Sequence, residues 1–336
     1  MQETPFCLRV GHLLPYSMSD YNTTHFTNPS TFILLGIPLG IPGLEAAHVW
    51  ISIPFCTMYV IAVLGNFTIL FIVKVEPSLH GPMYYFLCIL AVTDLVLSTS
   101  TLPKMLSIFW FNSREIDFSA CLTQMYFILI SSVLESGILV AMALDRYVAI
   151  CHPLRHSTTL TNTLVAKIGL AVLLRGIIVI LPFPILARLW PYCRTNIIPQ
   201  PYCAHIAVVS LACADTRVSS YYGLSVLLFV MGLDGIFIAV SYTQILRVIF
   251  SLPTKDTRVK TLGTCGSHLF VILAFYIPSL IMSLMHRFAQ NVPLHFHVLI
   301  ANVYLLSPPV LNPIIYGVRT KQIRDRLLRL FTHKGA

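Results

Sequence analysis

Long apolar runs broken by short polar connectors set the pattern of this chain. Read between charges and turn signals, the runs fall near 48–73, 83–103, 121–144, 164–187, 221–246, 262–285 and 294–317. About 20 apolar residues in a helix cross the roughly 30 Å hydrocarbon core of a bilayer, and each run reaches that length. The pattern therefore predicts seven transmembrane helices. A shorter stretch, Arg319 to Phe331, alternates bases with Ile323, Leu327, Leu328, Leu330 and Phe331, which predicts an amphipathic helix lying on the membrane surface. The fold class expected is an all-α membrane protein. An extracellular N-terminus covers 1–47, a seven-helix bundle 48–317, and a cytoplasmic amphipathic helix with its tail 318–336.

Composition agrees: 56% of residues are hydrophobic and 10% charged, with a mean hydropathy of +0.79, outside the range of soluble domains this long. The 22 basic residues orient the chain. With the N-terminus outside, 14 of them and four acids lie on the cytoplasmic face, seven bases and six acids lie outside, and Arg175 lies within the bundle. Positive charge accumulates on cytoplasmic loops, so a multi-pass plasma-membrane protein with its C-terminus in the cytoplasm is expected. The net charge of +9 then reports topology and contact with anionic membrane lipid, not nucleic acid.

Residues 1–17 lack a basic start followed by an apolar core, so the first helix is expected to act as its own insertion signal. Met18 is a second candidate start. Asn22-Thr23-Thr24 is a glycosylation acceptor on the outer side. Asn66-Phe67-Thr68 has the same pattern but lies mid-membrane, and Pro29 disqualifies Asn28.

Three acids interrupt the apolar runs. Asp94 stands roughly 17 Å from the cytoplasmic end of its helix and Glu135 roughly 15 Å from the same face, so the two share a depth. Asp234 stands roughly 20 Å above Arg247. Intramembrane acids are costly and face the bundle interior, where they pair, bind a cation or stay protonated. Together they are read as a polar interior cluster holding water or a sodium ion, against the plainer alternative of acids hydrogen-bonded for packing. No other cofactor is expected.

Cys7, Cys121, Cys193, Cys203 and Cys213 fall on the outer side, where disulfides form. Cys121 begins the third helix, and a bridge from it to a later cysteine would pin the 188–220 loop over the bundle mouth; the spacing leaves open which one. His205 follows Cys203 by two residues, but a disulfide cysteine is not a ligand, so no metal site is expected. At the cytoplasmic end of the third helix Asp145 and Arg146 are either plain surface charge or a latch holding the arginine until a partner takes it. Pro308, Pro309 and Pro313 leave carbonyls unpaired in the seventh helix and permit a kink, with Tyr316 near its cytoplasmic end.

These blocks carry a family resemblance. Met142-Ala-Leu-Asp-Arg-Tyr-Val-Ala-Ile-Cys-His-Pro-Leu-Arg155 resembles the olfactory receptor signature within the rhodopsin-like G-protein-coupled receptors. Pro82-Met-Tyr-Tyr-Phe-Leu87, Lys260-Thr-Leu-Gly-Thr-Cys-Gly-Ser-His-Leu269 and Asn312-Pro-Ile-Ile-Tyr-Gly317 match its other blocks. Ile41-Pro-Gly-Leu-Glu45, Ser210-Leu-Ala-Cys-Ala-Asp215 and His286-Arg-Phe288 resemble the class I, or fish-like, branch.

The resemblance implies a receptor that binds a small volatile odorant and activates a heterotrimeric G protein through an olfactory Gs-type α-subunit, raising cAMP. Arg146 would contact the G protein with Asp145 as its restraint and Tyr147 beside them. Tyr242, Asn312, Pro313 and Tyr316 would reorganise on activation, and Phe275 to Pro278 would form the hinge. Asp94 and Glu135 match the interior polar site. Cys121 to Cys203 would be the shared disulfide and Cys193 to Cys213 the extra one, leaving Cys7 over. Arg175 stands where class I receptors have arginine, and a mid-membrane arginine must find an acid, a carbonyl or water.

Ligand chemistry follows in part from the residues. The outer half of the third helix, Leu122 to Leu134, carries no acid, whereas a protonated amine needs a carboxylate to offset its desolvation. Arg287, above the sixth helix, suits a carboxylate, and class I receptors resemble one another in using that position for acidic odorants. With His286 and His205 it makes a mouth that is cationic at acidic pH. Met125, Ile128, Leu129, Ser132, Ser283 and Asn302 are the expected pocket wall, closed by Ala204 and His205. The expected ligand is a carboxylic acid or a polar oxygenated aliphatic. A small-metabolite receptor of the same fold, expressed outside the nose, is the rival. A transporter or channel lacks support, since no internal repeat or ring of charge is present. The paired acids satisfy an intramembrane enzyme only nominally. Gly36-Ile-Pro-Leu-Gly-Ile-Pro-Gly43 repeats a unit the family usually has once, which bears on the outer lid.

Overall fold

The computed structural model describes residues 29–35, 48–193, 195–288 and 294–332. Eight helices carry the fold: α1 (His48–Val75), α2 (Pro82–Phe111), α3 (Phe118–Cys151), α4 (Asn162–Leu189), α5 (Arg217–Ser251), α6 (Lys255–Phe288), α7 (Leu294–Arg319) and α8 (Lys321–Thr332). Among the described residues, α1 to α7 are long and apolar enough to cross a membrane. Leu170, Leu174 and Ile178 on α4 and Ile236 and Val240 on α5 are exposed. Helices apolar on their outward faces suit lipid as the surrounding solvent. α3 is the central post, packed against α2, α4 and α5, with Ile138, Leu139 and Met142 fully enclosed.

The helix ends depart from the expected spans where proline and a local bulge intervene. α2 does not stop at Pro103 but runs to Phe111, as helices inside bundles do when neighbours satisfy freed backbone groups. α5 starts at Arg217 and contains a π-helical turn at Leu228–Gly232, a feature that hydrophobic spacing does not encode. In α7, Pro313 has no N–H to offer the carbonyl of Pro309. Asn66 of α1 supplies the donor instead, its Nδ2 lying 3.1 Å from Pro309 O. Gly65 makes that approach feasible, because a Cβ there would stand 2.7 Å from the Pro313 ring.

One end of the bundle is roofed by a small sheet whose middle strand comes from the segment expected to be N-terminus. β1 (Thr31–Leu34) is its middle strand, antiparallel to β2 (Glu115–Asp117), with Phe32 opposite Ile116, and parallel to β3 (Ile197–Ile198), with Leu34 opposite Ile198. Phe32 and Leu34 alternate inward and are fully buried, packing with Tyr192, Cys121 and Cys203. Cys121 is bridged to Cys203 and Cys193 to Cys213, with Cα separations of 5.5 and 5.7 Å. Asn22, Cys7 and the Gly-Ile-Pro repeat lie outside the described residues. At the opposite end, which carries Arg146, α8 folds back under the bundle. Ile323 is buried, Arg326 pairs with Glu76 at 3.5 Å, and Tyr84 donates to Gln322 Oε1 at 3.0 Å.

Candidate functional site

Beneath the sheet roof lies a cavity of about 180 Å³. α3 contributes Met125, Ile128, Leu129, Ser132 and Val133; α4 contributes Ile180 and Phe183; the loop pinned by the disulfide contributes Tyr202 to Ile206. Gln124 fixes that loop in height, accepting the Cys203 N–H at 2.9 Å and donating to Ser100 O at 3.0 Å. His205 stands edge-on to Phe183 with ring centroids 4.6 Å apart. From α6 come Phe275, Ser279, Met282 and Ser283, and from α7 Tyr304, whose hydroxyl meets Ser132 Oγ and joins the two helices at the cavity floor. The wall is apolar apart from a few hydroxyls and His205, the usual composition of a small-molecule pocket.

Met125, Ile128, Leu129, Ser132, Ser283, Ala204 and His205 thus come together as expected from sequence. Asn302 does not. Its Nδ2 donates to Val298 O at 2.7 Å on its own helix, and Tyr304 takes the place in the wall. Residues two apart on a helix point about 200° apart, so a two-residue misjudgement on α7 selects the wrong face. Arg287 and His286 belong to α6, and Arg287 is one helical turn beyond Ser283; their side chains lie outside the described residues. The α5 contribution, Val226, Leu227, Val230 and Met231, straddles the π turn and had no signal in the sequence.

Below the floor, Arg175 finds the partner that sequence left unnamed. Nη1 donates to Asp234 Oδ1 at 2.7 Å and Nη2 to Asp234 Oδ2 at 2.8 Å, a bidentate pair. Ser136 donates to the same Oδ2 at 2.7 Å and meets the Tyr276 hydroxyl at 2.8 Å. The guanidinium passes α3 at Gly137, where a Cβ would lie 2.9 Å from Arg175 Nη2 and 2.7 Å from Val172. This network joins α3, α4, α5 and α6. It also corrects the single three-acid cluster, because Asp234 is committed to Arg175.

Asp94 and Glu135 do share a site, as their depth indicated. Asn312 Nδ2 lies 2.9 Å from Asp94 Oδ2 and 3.4 Å from Glu135 Oε1. Both acids are buried, and Asp94 Oδ1 and Asn312 Oδ1 have no hydrogen-bond partner among the described residues. Two carboxylates and an amide oxygen make an all-oxygen donor set that suits a hard cation.

At the Arg146 end the expected latch is replaced by another pairing. Asp145 Oδ1 lies 3.0 Å from His156 Nε2, and among the described residues no ion pair joins Asp145 to Arg146. Adjacent residues on a helix diverge by about 100°, and the turns at Pro153–Arg155 and His156–Thr159 fold back to present His156 to the acid. Arg146 and Tyr316 line one crevice with Tyr84 and Thr320; among the described residues Arg146 Nε and the Tyr316 hydroxyl are buried without a hydrogen-bond partner. Tyr242 on α5 bonds His268 Nδ1 on α6 at 2.6 Å, and Tyr147 meets His152 at 3.4 Å.

A seven-helix bundle with a roofed cavity at one end and, at the other, an arginine without an ion-pair partner among the described residues has the form of a receptor that couples a ligand to a partner protein. The family model described as olfactory receptor matches residues 55–334. Human "Olfactory receptor 51E2" is 52% identical over 314 residues, covering 94% of this chain and 96% of that protein. Human "Olfactory receptor 52K2" is 51% identical over 317 residues, 94% and 99% of the two chains, and human "Olfactory receptor 52D1" is 50% identical over 319 residues, 95% and 99%. The chain belongs to the olfactory receptor family: it is a multi-pass G-protein-coupled receptor for odorants and not an enzyme.

Proposed function

We propose that this receptor binds a small carboxylic acid, or a similarly polar oxygenated aliphatic, in the cavity under the sheet and raises cAMP through an olfactory Gs-type α-subunit. The observation that carries the ligand class is the cavity itself: small, walled by apolar side chains, with no acid from α3, and lying one helical turn from Arg287 on α6. At about 180 Å³ it falls below the roughly 300–1,000 Å³ of drug-sized sites, which favours a short chain. Arg287 is the anchor for the carboxylate and His286 and His205 complete the mouth; Ser283 and Ser132 supply hydroxyls along the wall.

The N-terminus is outside and Arg146 faces the cytoplasm of the plasma membrane, the arrangement favoured by the distribution of basic residues. Arg146 receives the G protein, with Tyr147, Tyr242, Asn312, Pro313 and Tyr316 rearranging around it, and Asp145 acts through His156. Asp94, Glu135 and Asn312 take a sodium ion in the inactive form. Ligand binding shifts the population toward a bundle open at the Arg146 end.

The test is cAMP accumulation in cells carrying the chain and the olfactory stimulatory α-subunit, screened with aliphatic acids and matched alcohols, esters and amines. Acids are expected to act and amines to fail, with Arg146→Ala silent at equal surface level. Burying one methylene contributes about 0.8 kcal/mol, roughly fourfold in potency, so potency should climb along the acid series until the cavity is full and then fall. Leu129→Ala should move the optimum about two or three carbons longer. Amine-selective responses, or an optimum indifferent to Leu129→Ala, would overturn the ligand assignment.

A further inference from the structure

We propose that Ser307 is a positioning residue that holds α6 in its closed arrangement by capping the carbonyl that Pro278 leaves open. Pro278 lies inside α6, and having no N–H it deprives Ala274, four residues earlier, of its helical partner. Ser307 Oγ of α7 donates to Ala274 O at 3.3 Å. The same device recurs where Asn66 serves the carbonyl vacated by Pro313, but that bond joins α1 to α7, whereas Ser307 ties α7 to the segment of α6 that precedes its proline and runs toward the Arg146 end.

Ala274 belongs to the half of α6 that carries Cys265 and His268 toward the Arg146 end. Bending at Pro278 swings that half and draws Ala274 away from α7, leaving its carbonyl to water. The bond therefore exists only in the closed form, and its loss favours the open one. One neutral hydrogen bond of this kind is worth roughly a two- to tenfold change in the open-to-closed ratio.

This inference rests on the signalling mechanism proposed above, but its test needs neither ligand nor G protein. Cys265 is 4% exposed on the moving half of α6, so its alkylation by a water-soluble maleimide in the purified full-length receptor, resolved by peptide mass spectrometry, reports opening. Ser307→Ala should speed labelling about two- to tenfold and Ser307→Thr should leave it at the wild-type rate. The shape-matched pair Ser307→Thr and Ser307→Val repeats the comparison should alanine disturb packing. Pro278→Ala restores an N–H to the Ala274 carbonyl, so Ser307→Ala should add nothing on that background. Labelling unchanged in both Ser307→Ala and Ser307→Val, or accelerated equally with and without Pro278, overturns the assignment. Failure of cAMP signalling alone leaves it standing.

Discussion

Replacing Arg175 with leucine, or Asp234 with leucine, is expected to remove most folded receptor from the cell surface, while the double replacement restores much of it. The pair is bidentate and the Asp234 side chain is 4% exposed against 26% for Arg175. Removing one partner strands a charge where no water is available to solvate it, a cost of about 3–5 kcal/mol. That is a large share of the roughly 5–15 kcal/mol that holds a typical domain together. Replacing both removes the stranded charge, so two apolar side chains should recover stability although Ser136 and Tyr276 lose their acceptor. Arg175→Lys keeps the charge but cannot form the two-pronged contact and should fall between. Surface level by flow cytometry and the thermal midpoint in detergent measure both effects. A double replacement as damaged as either single one would show that the pair does not act as a unit.

Arg287→Ala carries the other large expectation. Two charge-assisted hydrogen bonds to a carboxylate, each worth about 1.5–3 kcal/mol, place the loss in acid potency at about a hundredfold or more. The effect should be specific in two ways. A matched alcohol, which presents no negative charge, should lose little, and Arg287→Lys should retain part of the response because it keeps the charge and gives up the planar fork.

The fold was legible because lipid makes a strong demand on sequence: seven runs of the right length, a lone amphipathic stretch, and a one-sided distribution of bases. The depth of Asp94 and Glu135 placed them together correctly, since rise per residue is a fixed quantity. What escaped depends on rotation and on local irregularity. Asn302 and Tyr304 differ by about 200° of helix rotation, Asp145 meets not its neighbour Arg146 but His156, which the chain folds back to bring, and the π turn that sets Val230 against the cavity has no hydrophobic signature. Arg175 and Asp234 are each conspicuous as intramembrane charges, yet 59 residues separate them, and the packing of both α4, close at Gly137, and α5 against α3 brings them into contact. β1 was hidden because four residues of alternating pattern carry little information without the two strands that flank it.

The most direct measurement is the cAMP dose–response of wild-type and Arg287→Ala receptors to one active aliphatic acid and to the alcohol of the same chain length, at matched surface expression with the olfactory stimulatory α-subunit. A cavity that takes small acids through Arg287 should give a wild-type preference for the acid that collapses by about a hundredfold in Arg287→Ala, with the alcohol response little changed. An Arg287→Ala receptor that keeps full acid potency would contradict it.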